Sequence, residues 1–201
     1  MSNTRFDLTG KTALITGASS GLGAHFARVL ASSGARVVLA ARRAERLSAL
    51  VEELEQQGHS ALAVTNEGNW RSMLDTNLDG AWRVAHRACV AMAKGGQGGS
   101  VINIASILGL RVGTALSHYA VAKAGVVQLT KAMSLELARN NIRVNAIAPG
   151  YFRTEMNTDY FDTEHGQNYI RSKVPMRRLG QLEELDGPLL LLASEAGAFM
   201  T

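Results

Sequence analysis

The chain has 201 residues, 46% hydrophobic and 19% charged, which describes one ordinary globular core and excludes a disordered chain. Its formal charge of +4 is modest and its basic residues are dispersed apart from Arg42, Arg43 and Arg46, so no nucleic-acid partner is expected. Met1 to Lys11 lacks the apolar core of a signal peptide, no apolar run approaches the roughly eighteen residues of a membrane helix, and Cys89 is the single cysteine, so the reading is a soluble, cytoplasmic protein with no disulfide and no membrane partner.

In chain order, Thr12 to Thr16 is a short apolar run before glycines, and Arg36 to Ala40, Ser60 to Thr65, Ser100 to Ala105 and Arg143 to Ala148 repeat the form. Such continuous runs suit strands covered on both faces. Longer amphipathic segments lie between them: Leu22 to Ser33, Ala44 to Gln57, Trp70 to Lys94 and His118 to Arg139. The alternation predicts an α/β fold, a doubly wound, Rossmann-like parallel sheet in three layers, as a single domain over residues 1–201. Within the second long segment from the end, His86 and Cys89 share a helix face, but two ligands without further partners do not make a metal site, and no metal is expected. Gly187-Pro188 interrupts the last helical stretch, Leu182 to Ser194, and predicts a kink or two short helices with Pro188 opening the second.

The first predicted strand runs into Gly17, Gly21 and Gly23, spaced G-x-x-x-G-x-G, where a doubly wound sheet binds a dinucleotide. Glycines permit the tight turn and a close approach of the pyrophosphate, whose charge meets free N–H groups at the start of the next helix. The second strand ends Ala40-Ala41-Arg42-Arg43, at the place that meets the adenosine ribose. An acid there would hold the 2′-hydroxyl of NAD, whereas arginine suits the 2′-phosphate of NADP. Arg42, Arg43 and Arg46 also crowd a helix start, where the helix dipole disfavours positive charge unless an anion offsets it. NADP(H) is therefore expected ahead of NAD(H), which stays possible.

Ser106, Tyr119 and Lys123 form the other constellation. Tyr119 and Lys123 lie four residues apart on a predicted helix and share a face. An ammonium beside a phenol favours the phenolate and lowers its pKa, so such a tyrosine can give or take a proton. Ser106 closes a predicted strand, and the loop after it can bring its hydroxyl back towards that helix. A Tyr-x-x-x-Lys pair alone usually means surface packing; the serine and the glycine loop give it company as a site for a carbonyl or alcohol oxygen.

Thr16-Gly17-Ala18-Ser19-Ser20-Gly21-Leu22-Gly23, Asn77 within Thr76-Asn77-Leu78-Asp79-Gly80, Ser106, Tyr119-Ala120-Val121-Ala122-Lys123 and Pro149-Gly150 together resemble the short-chain dehydrogenase/reductase family. The resemblance implies an NADP(H)-dependent oxidoreductase that interconverts a carbonyl and a secondary alcohol of a small molecule by hydride transfer. It makes Tyr119 the acid/base, Lys123 its partner and a holder of the nicotinamide ribose, Ser106 the group that orients the substrate oxygen, and Asn77 a member of the proton relay. It assigns Gly17, Ser19, Ser20, Gly21, Leu22, Gly23, Arg42 and Arg43 to the cofactor. It places Pro149 and Gly150 beside the nicotinamide, Thr154 at its carboxamide or a nearby phosphate, and the substrate lid at residues 151–180. The lid residues show no selective charge pattern, so the substrate itself is unreadable. Family members commonly form tetramers; a homo-oligomer is implied here, with a dimer expected because the final strand is missing.

Two parts of the family pattern are absent. Between Thr65 and Trp70 the chain lacks the family's intervening helix, its next strand and that strand's Asn-Asn-Ala-Gly ending, and at Thr201 it stops before the last strand. The first omitted strand lies, in the family, between the strands here at Thr12 to Thr16 and Ser100 to Ala105. Either those two close up and pair, or each keeps an open edge. The competing reading is a shortened, catalytically impaired member that binds nucleotide weakly or acts as an interaction protein.

Overall fold

A computed structural model of the chain describes residues 6–41, 43–64, 73–113, 116–155 and 157–201, with the backbone alone at 62–64. Contacts gather into two units, Met1–Asn66 with Tyr151–Gly187 and Glu67–Gly150 with Pro188–Thr201.

In the first unit the strands β1 (Thr12–Thr16), β2 (Arg36–Ala40) and β3 (Ala61–Val64) pair in parallel in that order, with Thr12 opposite Arg36 and Val37 opposite Ala61. Val37 and Leu39 alternate inward along β2 and are buried. Helix α1 (Gly21–Ser32) buries Ala24, Ala27 and Ala31 at helical spacing with Phe26 and Leu30 beside them, while α2 (Ala44–Gln56) buries Leu47, Leu50 and Leu54. These faces follow from apolar residues recurring every three or four positions. The later part of the unit carries α5 (Thr158–Phe161) and α6 (Glu164–Lys173), the latter capped by Thr163, whose hydroxyl accepts the Gly166 N–H at 3.1 Å. Phe161, Ile170 and Leu179 form a core there, with Tyr151, Tyr169 and Val174 against it.

In the second unit β4 (Gly99–Ile104) and β5 (Ile142–Ile147) pair in parallel, Gly99 opposite Ile142. A π-helical turn, Asp75–Asp79, leads into α3 (Gly80–Gly95), and α4 (Ser117–Leu137) follows β4. Ala85, Cys89, Met133, Ile142 and Val144 make the core between these helices and the strands. The chain end lies against β5: the Val144 N–H donates to Thr201 Oγ1 at 3.0 Å and Asn145 Nδ2 to the Met200 carbonyl at 2.7 Å.

All pairings are parallel and strands alternate with helices, the Rossmann-like α/β arrangement. Among the described residues, hydrogen bonds order the strands β1-β2-β3 in the first unit and β4-β5 in the second. Strand boundaries differ from the sequence reading by a residue at most, the helix expected to Arg139 passes into a 3-10 turn after Leu137, and the helix expected from Trp70 contains, within the described residues, a π turn at Asp75–Asp79. The stretch around Pro188 resolves as a 3-10 turn, Leu182–Leu185, followed by α7 (Asp186–Ala193), with Pro188 in the first turn where no intrahelical N–H bond is lost. Among the described residues no helix is long and apolar enough to cross a membrane.

Candidate active site

After β4 the backbone is extended at Ser106, which is 8% exposed, and then winds into a 3-10 turn, Ile107–Gly109. The Ser106 hydroxyl caps that turn by accepting the Leu108 N–H at 3.1 Å. The Ile107 N–H donates to the Pro149 carbonyl at 3.0 Å, which brings the Pro149-Gly150 turn beside the serine loop. Tyr119 and Lys123 stand one turn apart near the start of α4. Lys123 Nζ donates to the Ile104 carbonyl at 2.7 Å and lies 5.6 Å from the centre of the Tyr119 ring.

Two features that the sequence reading passed over hold this arrangement. Gly109 lets the serine loop press on α4, since a Cβ there would lie 2.7 Å from the carbonyl of Lys123. Buried Asn103, in β4, donates to Thr130 Oγ1 at 2.9 Å, and that hydroxyl donates to the Val126 carbonyl at 2.8 Å. The strand bearing the serine is thus tied to α4 at two points, Lys123 and Thr130, about two helical turns apart. A glycine three positions after the candidate serine, and a polar residue inside an otherwise apolar strand, were the available signals.

The electrostatics differ from the expectation. The i, i+4 spacing predicts a phenol lowered by the ammonium, but in the folded chain burial raises the Tyr119 pKa, and the hydrogen bond with Ser106 pulls it back only in part. Burial lowers Lys123 to about 8. Loss of water outweighs the mutual effect of the pair, and the ammonium is engaged with the Ile104 carbonyl.

Asn77 sits in the π turn, where its Nδ2 donates to the Met73 carbonyl at 3.1 Å and contacts Met73 Sδ at 3.0 Å. Its amide is occupied by its own helix rather than by the serine, tyrosine or lysine. The turn nevertheless packs against α4 through Leu78, which fills the space left by Gly125: a Cβ there would come within 2.7 Å of Leu78 Cδ1.

The glycine loop lies in the first unit. Gly17 and Gly21 have φ of 67° and 52°, which L side chains rarely adopt. Gly23 has no room for a side chain, because its Cβ would lie 2.3 Å from the Gly17 carbonyl oxygen. The first backbone bond of α1 shown is Ala24 N–H to Ser20 at 3.4 Å, so the N–H groups of Gly21, Leu22 and Gly23 precede the ladder, and no acid occupies that turn. Arg43 reaches this loop, donating from Nε to Ser19 Oγ at 3.3 Å and from Nη2 to Ser20 Oγ. Thr154 packs on Gly21, 3.3 Å from where its Cβ would be. Arg46 is paired with Glu155. A backbone cradle with free donors and a guanidinium on neutral hydroxyls fits the phosphates of a dinucleotide. Arg42 lies outside the described residues. Among the described residues no three His, Cys, Asp or Glu side chains gather as metal ligands.

The segment 151–180 differs from its reading as lacking a charge pattern. Arg153, Arg171, Arg177 and Arg178, scattered in sequence, line one cavity of about 320 Å³.

Comparison with known proteins bears on both units. A family model described as short chain dehydrogenase matches residues 11–67, and one described as enoyl-(acyl carrier protein) reductase matches residues 56–201. The chain is 32% identical, over 237 aligned positions, to an A-factor type gamma-butyrolactone 1′-reductase of Streptomyces virginiae, covering 96% of this chain and 92% of the relative. It is 30% identical over 235 positions to a 3-oxoacyl-(acyl-carrier-protein) reductase of Thermotoga maritima, covering 96% and 94%. The crystal structure of a gluconate 5-dehydrogenase from Burkholderia cenocepacia J2315 in complex with NADP and tartrate matches with a TM-score of 0.89 at 31% identity, covering 97% and 92%. Both aligned stretches exceed the 201 residues of the chain, so these relatives carry internal residues with no counterpart here. The two family matches meet over residues 56–67, which includes the junction after β3.

Proposed function

This chain belongs to the short-chain dehydrogenase/reductase family, and from that premise we propose that it interconverts a carbonyl and a secondary alcohol of a small molecule, using NADP(H) in preference to NAD(H). The observation that carries the reading is the gathering of Ser106, Tyr119 and Lys123 at the end of β4 and the start of α4, with the lysine fastened to the strand. The cofactor, when bound, supplies or accepts the hydride. Tyr119, held as a protonated phenol by burial, donates its proton to the substrate oxygen in reduction and recovers it in oxidation. Ser106, already hydrogen-bonded to that phenol, orients the same oxygen. Lys123, still mostly protonated at pH 7 with a pKa of about 8, stabilises the phenolate left behind and holds the ribose. Asn77 serves the proton relay, which requires its amide to leave Met73.

For the cofactor, the glycine loop with Ser19, Ser20 and Leu22 takes the pyrophosphate, Thr154 and Pro149-Gly150 take the nicotinamide end, and Arg43 with Arg42 takes the 2′-phosphate. Relatives crystallised with NADP support this choice. We read residues 1–201 as one nucleotide-binding domain with its lid at 151–180, acting in the cytoplasm.

The test is a panel of aldehydes and ketones assayed with NADPH. Tyr119→Phe should lose activity by about three orders of magnitude, within the range for a positioned acid/base, while NADPH affinity stays within about threefold. Retention of most activity would remove Tyr119 from the mechanism. In a parallel titration NADPH should bind at least about tenfold more tightly than NADH, roughly 1.4 kcal/mol, and Arg43→Ala should narrow the gap; equal affinities in the wild type would refute the preference.

A further inference from the structure

We propose that the cavity inside the segment 151–181 is a binding site for a small organic anion, one with a phosphate or carboxylate head. It stands apart from the oxidoreductase reading and is read out by binding alone. The cavity, about 320 Å³, lies at the small end of the range of ligand pockets and suits a metabolite-sized molecule. Four of its lining side chains are guanidinium groups, and their charges are unequally balanced. Arg153 is paired with Asp162 at 2.9 Å and Arg178 with Glu184 at 2.6 Å. Arg171 meets only neutral amide oxygens, Gln167 Oε1 at 3.3 Å and Asn168 Oδ1 at 3.4 Å. No ion pair is formed by Arg177 among the described residues.

Two cations with no ion pair among the described residues therefore line one concavity, where an entering anion would meet both. The planar fork of arginine matches the oxygens of a phosphate or carboxylate in pairs. Phe161 and Ile170, part of the apolar core beneath, also line the cavity and give the carbon body of such a molecule a surface to cover. Arg177 is held at φ 55°, one of two described non-glycine residues with positive φ. That conformation is unfavourable for a residue with a side chain and is maintained here at the cavity rim.

The full chain is titrated calorimetrically at constant ionic strength with benzyl phosphate, phenylacetate and neutral benzyl alcohol, each with and without saturating NADP+. At least one anion should bind about tenfold or more tightly than the alcohol, and which one does so identifies the head group. NADP+ should leave that binding unchanged, since the glycine loop is a separate anion cradle. Arg171→Gln and Arg177→Gly should each weaken it about fivefold or more, as expected when one charge-assisted contact is lost. Because glycine accepts φ 55°, Arg177→Gly should melt no lower than wild type, which separates a lost cation from a lost fold. Equal affinity for anion and alcohol, displacement by NADP+, or wild-type affinity in both variants would overturn the proposal.

Discussion

Lys123 shows how a residue of the candidate site can oppose stability. Its pKa of about 8 lies below the roughly 10.4 of an exposed lysine, so the fold favours the neutral amine. Below pH 8 the group is charged in both states and the folded chain bears the whole desolvation cost, about 3 kcal/mol at 1.36 kcal/mol per unit. Between pH 8 and about 10 the unfolded chain binds more protons than the folded one, so stability should rise with pH. Tyr119 acts outside this window: its raised pKa makes the unfolded chain ionise first, which lowers stability only above about pH 10. Urea melts should therefore show the wild type gaining about 2 kcal/mol of stability from pH 7.5 to 9.5, a little over half of what the shift allows, and Lys123→Met showing no such gain. The variant should also be more stable at pH 7 by about 1 to 2 kcal/mol, because losing the bond to Ile104 offsets part of the relief. A flat wild-type profile would mean that the ammonium is well solvated in the fold.

At the scale of elements, the site depends on close approaches between backbones. The turn from β1 to α1 folds back on itself so tightly that Gly23 faces the Gly17 carbonyl with no space for a methyl group. Gly23→Ala must push the loop apart, and overpacking of this kind costs about 1 to 3 kcal/mol. The expected outcome is a matching loss in urea melts together with a loss of NADPH affinity of about tenfold or more by titration. Unchanged affinity would show that the loop is not the phosphate cradle. In the second unit, Gly109 and Gly125 let the serine loop and the π turn settle on α4. Glycine inside a helix costs roughly 1 kcal/mol relative to alanine, so its presence at Gly125 has a packing reason, namely Leu78.

For the whole molecule, the described strands are ordered β1-β2-β3 in one unit and β4-β5 in the other, and the relatives carry internal residues that this chain lacks. Each extra strand edge leaves backbone N–H and C=O groups without ladder partners, and each buried one costs roughly 1 to 3 kcal/mol against a domain stability of about 5 to 15. Inserting the helix and strand of a full-length relative between Thr65 and Asn66 should raise the melting temperature by several degrees and increase carbonyl reduction. Equal melting temperature and equal rate in the chain as written would refute this. Exposed Trp82 and Val90 on α3, with Val121 and Leu135 on α4, are apolar surface available to a second copy, and we propose a dimer. Light scattering that reports a stable tetramer would contradict it.

What the sequence determined by itself is whatever depends on local order along the chain. Apolar runs placed the five strands within a residue and helical spacing placed α1, α2 and α4 within two, because period and length are properties of neighbouring positions, whereas the short helices α5 and α6 carry no such pattern and were not read. The glycine turn and the Tyr119-Lys123 pair were legible for the same reason. Only tertiary structure decided what depends on which surfaces leave water and which distant residues meet. The direction of the Tyr119 shift reversed because burial, not spacing, sets the local dielectric. The tie between Asn103 and Thr130 joins residues 27 positions apart, and the four arginines of segment 151–180, unremarkable along the chain, share a cavity beside the core of Phe161, Ile170 and Leu179. The register within each sheet, Thr12 opposite Arg36 and Gly99 opposite Ile142, was likewise undetermined by pattern, since hydrogen-bond partnership between strands is a fact of the folded chain alone.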